Sequence, residues 1–472
     1  MKRKRTKIVC TLGSASNSIE KIHALIDAGM DIARLSFAHG SHEDHAQLIA
    51  RTHQVSEQRK MPLPILQDLS GPKLRIGAFT NPPIELSRGS QFTLTTRPNV
   101  GDAEGVSVAC LELVQDAKPG DSILLADGEI ELAVTSTTET DATCEVIVGG
   151  ELGSNKGISA PSVALKQAIP TPKDIEDVIF GIEHSVDWVA QSFVRSADEL
   201  HTLREIIRQN GGDIPIIAKL EKRESLNKLD DIIEAADGVM IARGDLGLEI
   251  PLQEVPIVQK EITRTSNRLG KPVITATHML DSMINNPRPT RAEVTDVANA
   301  IFDGTDAIML SGETAVGKYP VKATQMMADV ALATEAGLDY TERLKRESIE
   351  EEKPIPSAIA HAACHIALAI RAKVIICCTQ SEQDARLLAK YRPSASIIVS
   401  SWSETTLRRA LLSWGTSPTY IERSESLEQS VENAKTAVLK SGVAERGDRA
   451  VIVAGMSTGL ATPPNAIDVE IL

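Results

Sequence analysis

Charged side chains follow two consecutive apolar runs of the sequence, at the points where the runs end. Lys219 and Glu221 end one run, and Arg243-Gly244-Asp245 follows the next. Lys219 and Glu221 are two residues apart, so both point to the same side of an extended strand. Two carboxylates can hold a hard divalent cation such as Mg²⁺ and leave coordination positions for substrate oxygens. With a lysine and arginines around the cation, the pattern predicts a site for a phosphate group.

Other apolar runs end in the same way. The polar stretches that follow them are Arg34-Leu35-Ser36 with His39, Asp68 with Lys73 and Arg75, Thr275-Ala276-Thr277-His278, and Ser311-Gly312-Glu313. Taken singly, each has an ordinary alternative, because a lone Arg or Lys is usually solvated or ion-paired and a lone Asp often caps a helix. Their joint occurrence favours one site.

The loop that contains Asp245 has a composition suited to ligand binding. Gly244 and Gly247 would let the backbone approach a ligand closely, and the N–H groups of a turn or new helix can bind a carboxylate. An ordinary loop with a charged rim stays open as the alternative for Arg243 and Glu249.

Eight strand–helix units are expected to position these side chains. Helical patterns separate the apolar strands, for example from Ser18 to Gly29, over 41–58, 223–236 and 254–269. The predicted strands are Lys7–Leu12, Asp31–Phe37, Leu63–Leu69, Asp187–Phe193, Pro215–Glu221, Gly238–Ala242, Pro272–His278 and Ala307–Ser311. Unbroken Val/Ile-rich strands in consecutive βα units predict a closed parallel (β/α)8 TIM barrel of the α/β class, whose chemistry gathers at the C-terminal strand ends.

Two further domains are predicted. After the third strand, the segments QFTLTT, DSILLADGEIELAV and TCEVIVGG alternate as in a small antiparallel β domain. A charged stretch over 340–352 predicts a linker or exposed helix, and the strands KVIICCT, SIIVSS and RAVIVAG predict a C-terminal α/β domain. The expected boundaries are 1–72 and 161–340 for the barrel, 73–160 for the insertion and 341–472 for the C-terminal domain.

The composition limits the class of protein. The chain of 472 residues is 42% hydrophobic and only 3% aromatic, with a net charge of -14, which argues against a general nucleic-acid or membrane binder. Its six cysteines have no paired spacing and are expected to be buried free thiols. The apolar stretch after the basic N-terminus is too short for a signal peptide, and no run reaches the length of a membrane span. We therefore expect a cytoplasmic protein.

Two other motifs suggest functional sites but have ordinary structural interpretations. The stretch GETAVGK over 312–318 has P-loop spacing, but Tyr319 stands where a Ser or Thr must bind magnesium. His361 and His365 lie four residues apart in an Ala-rich helix, and without a third ligand a surface or packing role is expected.

Eight ordered motifs identify a resemblance. The stretches KIVCTLG, ARLSFAHG, GPKLRIG, AKLEKRE, ARGDLGLEIP, TATHMLDSM, PTRAEVTDVANAIFDG and LSGETAVGKYP resemble pyruvate kinase, and KYRP extends the similarity into the C-terminal domain. The resemblance implies a glycolytic phosphotransferase that moves the phosphoryl group of phosphoenolpyruvate to ADP, giving pyruvate and ATP. It also implies Mg²⁺, with Mn²⁺ as a substitute, and a homotetramer.

The resemblance also assigns roles to individual residues. Lys219, Thr277 and Arg34 would be catalytic, and Gly244 and Asp245 would join them in binding the substrate, while Glu221 and Asp245 hold the metal. The positions expected to face the nucleotide are Ser36, His39, Arg75 and, from the insertion, Lys156. The insertion would act as a lid that excludes water.

The sequence departs from the family at the monovalent-cation site. Many relatives bind potassium through an Asn, a Ser, an Asp and a Thr. The corresponding positions here read Ser36, Ala38, Asp68 and Leu69. Relatives also carry a Glu in GPEIR where this chain has Lys73, whose ammonium would supply the missing charge. We expect activity without added potassium.

Two other departures concern regulation and proton delivery. His278 replaces a common Gln beside Thr277, with an effect that the sequence does not define. In the C-terminal domain, the loop 379–384 has two acids where relatives activated by fructose 1,6-bisphosphate have a phosphate-binding loop, so we expect no activation by this sugar. The alternative functions are a barrel lyase or mutase acting on phosphoenolpyruvate or a related 2-oxo acid, and a non-catalytic metabolite sensor.

Overall fold

The first part of the chain forms three strands and two helices. The computed structural model describes residues 4–163, 167–346, 354–424, 426–455 and 464–472. Ser18 caps α1, and Gly29 ends it at a left-handed φ of 117°, which favours glycine. The elements are β1 (Lys7–Thr11), α1 (Ile19–Ala28), β2 (Ile32–Ser36), α2 (His42–Arg59) and β3 (Ile65–Asp68).

A mostly antiparallel β region follows β3. Its main sheet has six strands and a separate apolar core, with one parallel pair, β5 with β6. The elements are β4 (Ile84–Leu86), β5 (Gln91–Thr95), β6 (Gly105–Ser107), α3 (Leu111–Asp116), β7 (Ser122–Leu125), a 3-10 turn (Ala126–Gly128), β8 (Ile130–Thr137), β9 (Asp141–Val148), β10 (Gly150–Leu152) and β11 (Ile158–Ser159).

Five more strand–helix units follow the insertion. The elements are α4 (Pro172–Glu183), β12 (Trp188–Gln191), α5 (Ala197–Gln209), β13 (Ile216–Leu220), α6 (Arg223–Leu226), α7 (Leu229–Ala235), β14 (Gly238–Ala242), α8 (Arg243–Glu249), a 3-10 turn (Leu252–Glu254), α9 (Val255–Arg268), β15 (Val273–Ala276), a 3-10 turn (Asp281–Ile284), α10 (Arg291–Asp303), β16 (Ala307–Leu310), α11 (Gly312–Ala315) and α12 (Pro320–Ala336).

Eight parallel strands close into a barrel in the order β1-β16-β15-β14-β13-β12-β3-β2. Apolar side chains fill both the barrel interior and the layer between strands and helices, as expected for strands buried on both faces. The predicted fold class is confirmed. One predicted helix over 223–236 was wrong, because Lys228 leaves the helical backbone region at φ -129° and ψ 31° and separates α6 from α7.

The C-terminal region forms a five-stranded sheet in the order β19-β18-β17-β20-β21. The predicted linker begins as α13, while 347–352 lie outside the described residues. Two strands were not predicted, β19 and the antiparallel edge strand β21. The elements are α13 (Tyr340–Arg346), α14 (Ile355–Ala369), β17 (Val374–Cys378), α15 (Glu382–Lys390), β18 (Ser396–Ser401), α16 (Glu404–Ala410), β19 (Thr416–Tyr420), α17 (Leu427–Ser441), β20 (Arg449–Ala454) and β21 (Ala466–Ile471).

A buried ion pair, Arg392 with Asp306, joins this region to the N-terminal end of the barrel. Both terminal nitrogens of Arg392 donate to the carboxylate of Asp306, at 2.7 and 2.9 Å, and Trp414 N donates to the same carboxylate at 3.0 Å. Leu412 packs among the residues inside the barrel. The opposite, C-terminal end of the barrel is left for the inserted β region.

Two predictions from composition can be compared with the structure. All six cysteines are buried and free, as expected. Within the described ranges, the helices are too short or too polar to cross a bilayer.

Candidate active site

Lys219 lies near the C-terminal end of β13, surrounded by acids. Its Nζ donates to Ser192 Oγ at 2.6 Å and lies 3.2 Å from Asp68 Oδ1 and 3.6 Å from Glu221 Oε2. Burial alone would lower the pKa of Lys219, but the carboxylates of Asp68, Glu221 and Asp245 raise it above its ordinary value. The ammonium is therefore a fixed positive charge at the barrel mouth.

Arg34, at the end of β2, shares the carboxylate of Asp68 with Lys219. Arg34 Nε donates to Asp68 Oδ2 at 2.7 Å, and its Nη1 donates to Thr11 Oγ1 at 2.7 Å. Burial would raise the pKa of Asp68, yet Arg34 and Lys219 hold it below its ordinary value. Asp68 is thus an ionised bridge that keeps two cations close together.

Glu221 has one carboxylate oxygen without a hydrogen bond. The side chain is 0% exposed, and Oε1 accepts from Phe193 N at 2.7 Å. Oε2 is buried and accepts no hydrogen bond from any residue that the structure describes. Burial raises the pKa of Glu221; the charge of Lys219 opposes this shift and that of Asp245 adds to it. The only cation near Oε2 among the described residues is Lys219 Nζ at 3.6 Å, beyond hydrogen-bond distance, so this buried oxygen is free to bind a further cation.

Asp245 and Glu221 together fit a magnesium ion. Both line a small cavity under the inserted β region, and carboxylate oxygens are the ligands that Mg²⁺ prefers. No cluster of three or more His, Cys, Asp or Glu suited to a metal occurs among the described residues. A metal bound here would therefore take its other ligands from substrate and water, as Mg²⁺ commonly does.

Thr277 follows β15 in a strained backbone conformation. Thr277 and His278 have left-handed φ values of 67° and 54°, which a Thr or His adopts only when its surroundings enforce it. Gly244 N donates to Thr277 Oγ1 at 2.7 Å. Arg243 Nη2 donates to the Thr277 carbonyl at 2.7 Å, and its Nη1 donates to Asp296 at 2.8 Å. Arg243 therefore supports the Thr277 backbone.

Most of the predicted residues line one cleft of about 710 Å³. Burial lowers the pKa of His39, and the cations of Arg75, Lys73 and Arg34 lower it further. The predicted site residues in the cleft wall are Arg34, Ser36, His39, Asp68, Lys73, Arg75, Lys219, Asp245 and Thr277.

Gly244 and Glu221 do not line this cleft themselves, although Gly244 N donates to Thr277 in its wall. Lys156 is the third predicted residue outside the cleft. It is exposed on the inserted β region and absent from the cleft wall, and its side chain lies over Gly153, whose Cβ would be 3.4 Å from Lys156 Cε. Glu221 lines the adjoining small cavity instead of the cleft.

The positions corresponding to the potassium site also lie in the cleft wall. They are Ser36, Ala38, Asp68 and Leu69. The alkyl side chains of Ala38 and Leu69 offer no oxygen ligand, and both oxygens of Asp68 already face cations. Lys73 Nζ lies 3.7 Å from Asp245 Oδ1, so its charge pairs with a predicted magnesium ligand and not with Asp68.

Sequence reasoning missed two hydroxyl groups in the site. Ser192 Oγ accepts from Lys219 and donates to the Leu69 carbonyl at 2.6 Å, and Thr11 Oγ1 accepts from Arg34. The signal was present, because Thr11 ends the first strand and Ser192 follows the fourth.

The fold and site together define a class, a TIM-barrel enzyme whose C-terminal mouth carries cations and carboxylates of the kind that suit a phosphate group and a divalent cation. A family model described as pyruvate kinase, barrel domain, matches residues 3–324, and one described as pyruvate kinase, alpha/beta domain, matches residues 357–470. The chain belongs to the pyruvate kinase family and is a phosphotransferase.

Individual relatives agree over the full chain. A pyruvate kinase from Clostridium acetobutylicum is 40% identical over 99% of both chains. One from Geobacillus stearothermophilus is 42% identical over 100% of this chain and 81% of the relative. The crystal structure of a pyruvate kinase from Cryptosporidium parvum superposes with a TM-score of 0.93 at 34% identity, covering 99% of this chain and 96% of the other.

Proposed function

We propose that the protein transfers the phosphoryl group of phosphoenolpyruvate to ADP, giving pyruvate and ATP. The observation that carries this proposal is the setting of Lys219, whose Nζ lies within 3.6 Å of Glu221 and 3.2 Å of Asp68 in a cleft shared with Arg34. Phosphoryl transfer needs little covalent help from the protein and much positioned positive charge.

Each residue has a defined task in this proposal. Lys219 and Arg34 bind the oxygens of the migrating phosphoryl group, and Lys219 also stabilises the enolate that remains. Glu221 and Asp245 hold Mg²⁺, which when bound neutralises phosphate charge and orients oxygens. Thr277 and the Gly244 N–H, which are neighbours at the barrel mouth, bind the substrate carboxylate by turning their donors from protein oxygens to the carboxylate oxygens.

The nucleotide occupies the other side of the cleft. Ser36, His39 and Arg75 line that part of the wall. The side chain of Lys156 lies outside the cleft, so the inserted region must move for Lys156 to contact the nucleotide. Proton delivery to the enolate runs from the Thr277 side through water.

The inserted region acts as a lid. Ser159 Oγ donates to Glu249 Oε1 at 3.4 Å, and Lys222 Nζ lies 2.6 Å from the same oxygen. The Ser159 contact connects lid and barrel, and the Lys222 contact holds Glu249 within the barrel beside Glu221. Closure excludes water, which limits loss of the phosphoryl group to solvent.

The reaction is tested by mixing phosphoenolpyruvate, ADP and Mg²⁺ with the protein and measuring pyruvate and ATP together. Equal amounts of both products are expected. A product formed equally fast without ADP would support a lyase or mutase, and no product at all would support a non-catalytic sensor.

Potassium independence is the second part of the proposal. Ala38 and Leu69 remove two oxygen ligands, Asp68 is already paired with Arg34 and Lys219, and Lys73 adds a fixed positive charge at the cleft. Turnover in tetramethylammonium buffer is expected to match turnover with potassium. A large, saturable rise on adding potassium would contradict this.

The C-terminal loop 379–384 supports a third part, that fructose 1,6-bisphosphate is not the activator. Thr379 Oγ1 donates to Asp384 Oδ2 at 2.5 Å and accepts from Ser381 N at 2.9 Å. The loop thus pairs Thr379 with its own Asp384 and carries two acids, whose charge repels phosphate. A clear fall in the half-saturating phosphoenolpyruvate concentration on adding the sugar would refute this.

We further propose a cytoplasmic homotetramer with domains at 1–72 with 161–340, 73–160 and 341–472. Sedimentation velocity measures the subunit number, and limited proteolysis is expected to cut at the boundaries near 73, 160 and 340.

A further inference from the structure

His45 lies beneath the loop that carries His39 into the cleft. Its ring stacks on Phe37, with centroids 3.9 Å apart and planes 10° apart, and its Nε2 lies 2.9 Å from the His39 carbonyl oxygen. A carbonyl only accepts hydrogen bonds, so Nε2 carries the proton. Nδ1 is buried without a hydrogen-bond partner within the described part of the chain. This arrangement suits one neutral tautomer of the imidazole.

The loop between β2 and α2 is held from several sides. Lys173 Nζ donates to the Phe37 carbonyl at 3.1 Å, and His39 N donates to the Ser36 carbonyl at 3.3 Å. The bond from His45 fixes the carbonyl of His39, a residue that lines the cleft. His45 itself lines the cleft but is only 5% exposed.

We propose that His45 is a positioning residue for nucleotide binding, which holds the His39 loop in its binding conformation only while the imidazole is neutral. The inference rests on the proposed function, in which Ser36 and His39 face the nucleotide. A second proton would create an N–H at buried Nδ1 with no acceptor in place. Satisfying that N–H requires the ring to leave its stack on Phe37 and release the His39 carbonyl.

The charged groups around His45 largely offset one another. On α4, Asp177 favours the protonated ring and Lys173 opposes it, as does His42 on α2. His42 and Lys173 both pair with Asp177, so that carboxylate is already neutralised. Asp44 on α2 accepts from Ser41 N at 2.9 Å as a helix cap. Burial is the largest influence, and it lowers the pKa of His45 below its ordinary value although the hydrogen bond to the His39 carbonyl raises it.

Two variants separate the hydrogen bond from the proton. His45→Phe keeps a stacked ring and loses the hydrogen bond, while His45→Gln keeps an uncharged donor that cannot titrate. The matched control is His184→Phe, because His184 stacks on Phe180 at 3.9 Å and its Nδ1 lies 2.9 Å from the Phe180 carbonyl, away from the cleft.

Steady-state kinetics is measured for both substrates from about pH 7.5 to about pH 5.5, across the range in which histidine titrates. His45→Phe is expected to raise KM for ADP about fivefold, the effect of losing one hydrogen bond, with KM for phosphoenolpyruvate and kcat nearly unchanged. His184→Phe is expected to behave as wild type. In wild type, KM for ADP rises relative to KM for phosphoenolpyruvate towards acid pH, and His45→Gln loses part of that rise.

Unchanged KM for ADP in folded His45→Phe, or equal changes in both KM values, would overturn the positioning role. If KM for ADP rose equally towards acid pH in His45→Gln and wild type, the requirement for a neutral ring would be overturned. This comparison does not depend on the folding of His45→Phe. If the wild-type protein formed no pyruvate from the two substrates, the proposed function itself would be wrong. This result differs from each of the outcomes above.

Discussion

The substitution Asp68→Asn tests how the two cations of the site are held. Asp68 accepts from Arg34 Nε at 2.7 Å and faces Lys219 Nζ at 3.2 Å, with only 2% of its side chain exposed. Asparagine keeps the shape but removes the charge and turns an N–H₂ group towards one cation. Charge-assisted hydrogen bonds contribute about 1.5–3 kcal/mol each, and breaking a buried pair costs about 3–5 kcal/mol.

Asp68→Asn is expected to change both the stability and the turnover of the protein. The free energy of unfolding in urea is expected to fall by about 3 kcal/mol, at the low end of that range because Lys219 keeps Glu221 and Ser192 as partners. Displacement of a cation by about 1 Å lowers turnover about 10²-fold, so kcat/KM for phosphoenolpyruvate should fall by at least that factor in the folded variant.

The matched control is Asp237→Asn at the opposite end of the barrel. Asp237 pairs with Arg204 at 2.8 Å and accepts from Ile216 N at 2.9 Å, so the variant should lose stability while its folded fraction keeps wild-type kcat/KM. If folded Asp68→Asn retained kcat/KM within about threefold of wild type, a change smaller than one hydrogen bond, the bridging role of Asp68 would be refuted.

Three further predictions concern the metal, the domain junction and the C-terminal loop. Glu221→Gln should raise the Mg²⁺ concentration for half-maximal activity by more than the roughly tenfold effect of an outer-shell change, and an unaltered Mg²⁺ titration would contradict this. Arg392→Met leaves the buried carboxylate of Asp306 without its guanidinium and should lower the free energy of unfolding by about 3–5 kcal/mol, measured in urea; a loss under about 1 kcal/mol would contradict it. Burial raises the pKa of Asp384 from the ordinary 3.8 to about 6. The unfolded chain therefore ionises at lower pH than the folded protein, and Asp384 lowers the stability as the pH rises from 3.8 towards about 6. Asp384→Asn should therefore raise Tm at about pH 7.5 and not at about pH 4, and equal shifts at both pH values would argue against this pKa.

The barrel was predictable because its strands are buried on both faces. Strands such as Gly238–Ala242 are apolar and buried throughout. The apolar run in the sequence ends where the strand reaches solvent or the ligand site. The polar residue after each run therefore marks the C-terminal rim, and this is why Lys219, Asp245 and Thr277 could be assigned to one mouth.

Other features were outside the reach of sequence patterns. The edge strand β21 contains only exposed and half-buried residues, without a regular alternation, so it carries little hydrophobic signal. The strand-end positions of Ser192 and Thr11 were visible in the sequence, but their pairing with Lys219 and Arg34 arises only in the closed barrel. The pairing of Lys73 with Asp245 depends on the path of the chain after β3, and no spacing rule encodes that path.

The most direct test compares wild type with Lys219→Met in pyruvate formation from phosphoenolpyruvate, ADP and Mg²⁺. Positioned charge of this kind contributes about 10²- to 10³-fold to turnover, so the account predicts a loss of at least that size, with near-wild-type circular dichroism. Wild-type turnover in a folded Lys219→Met protein would contradict the account.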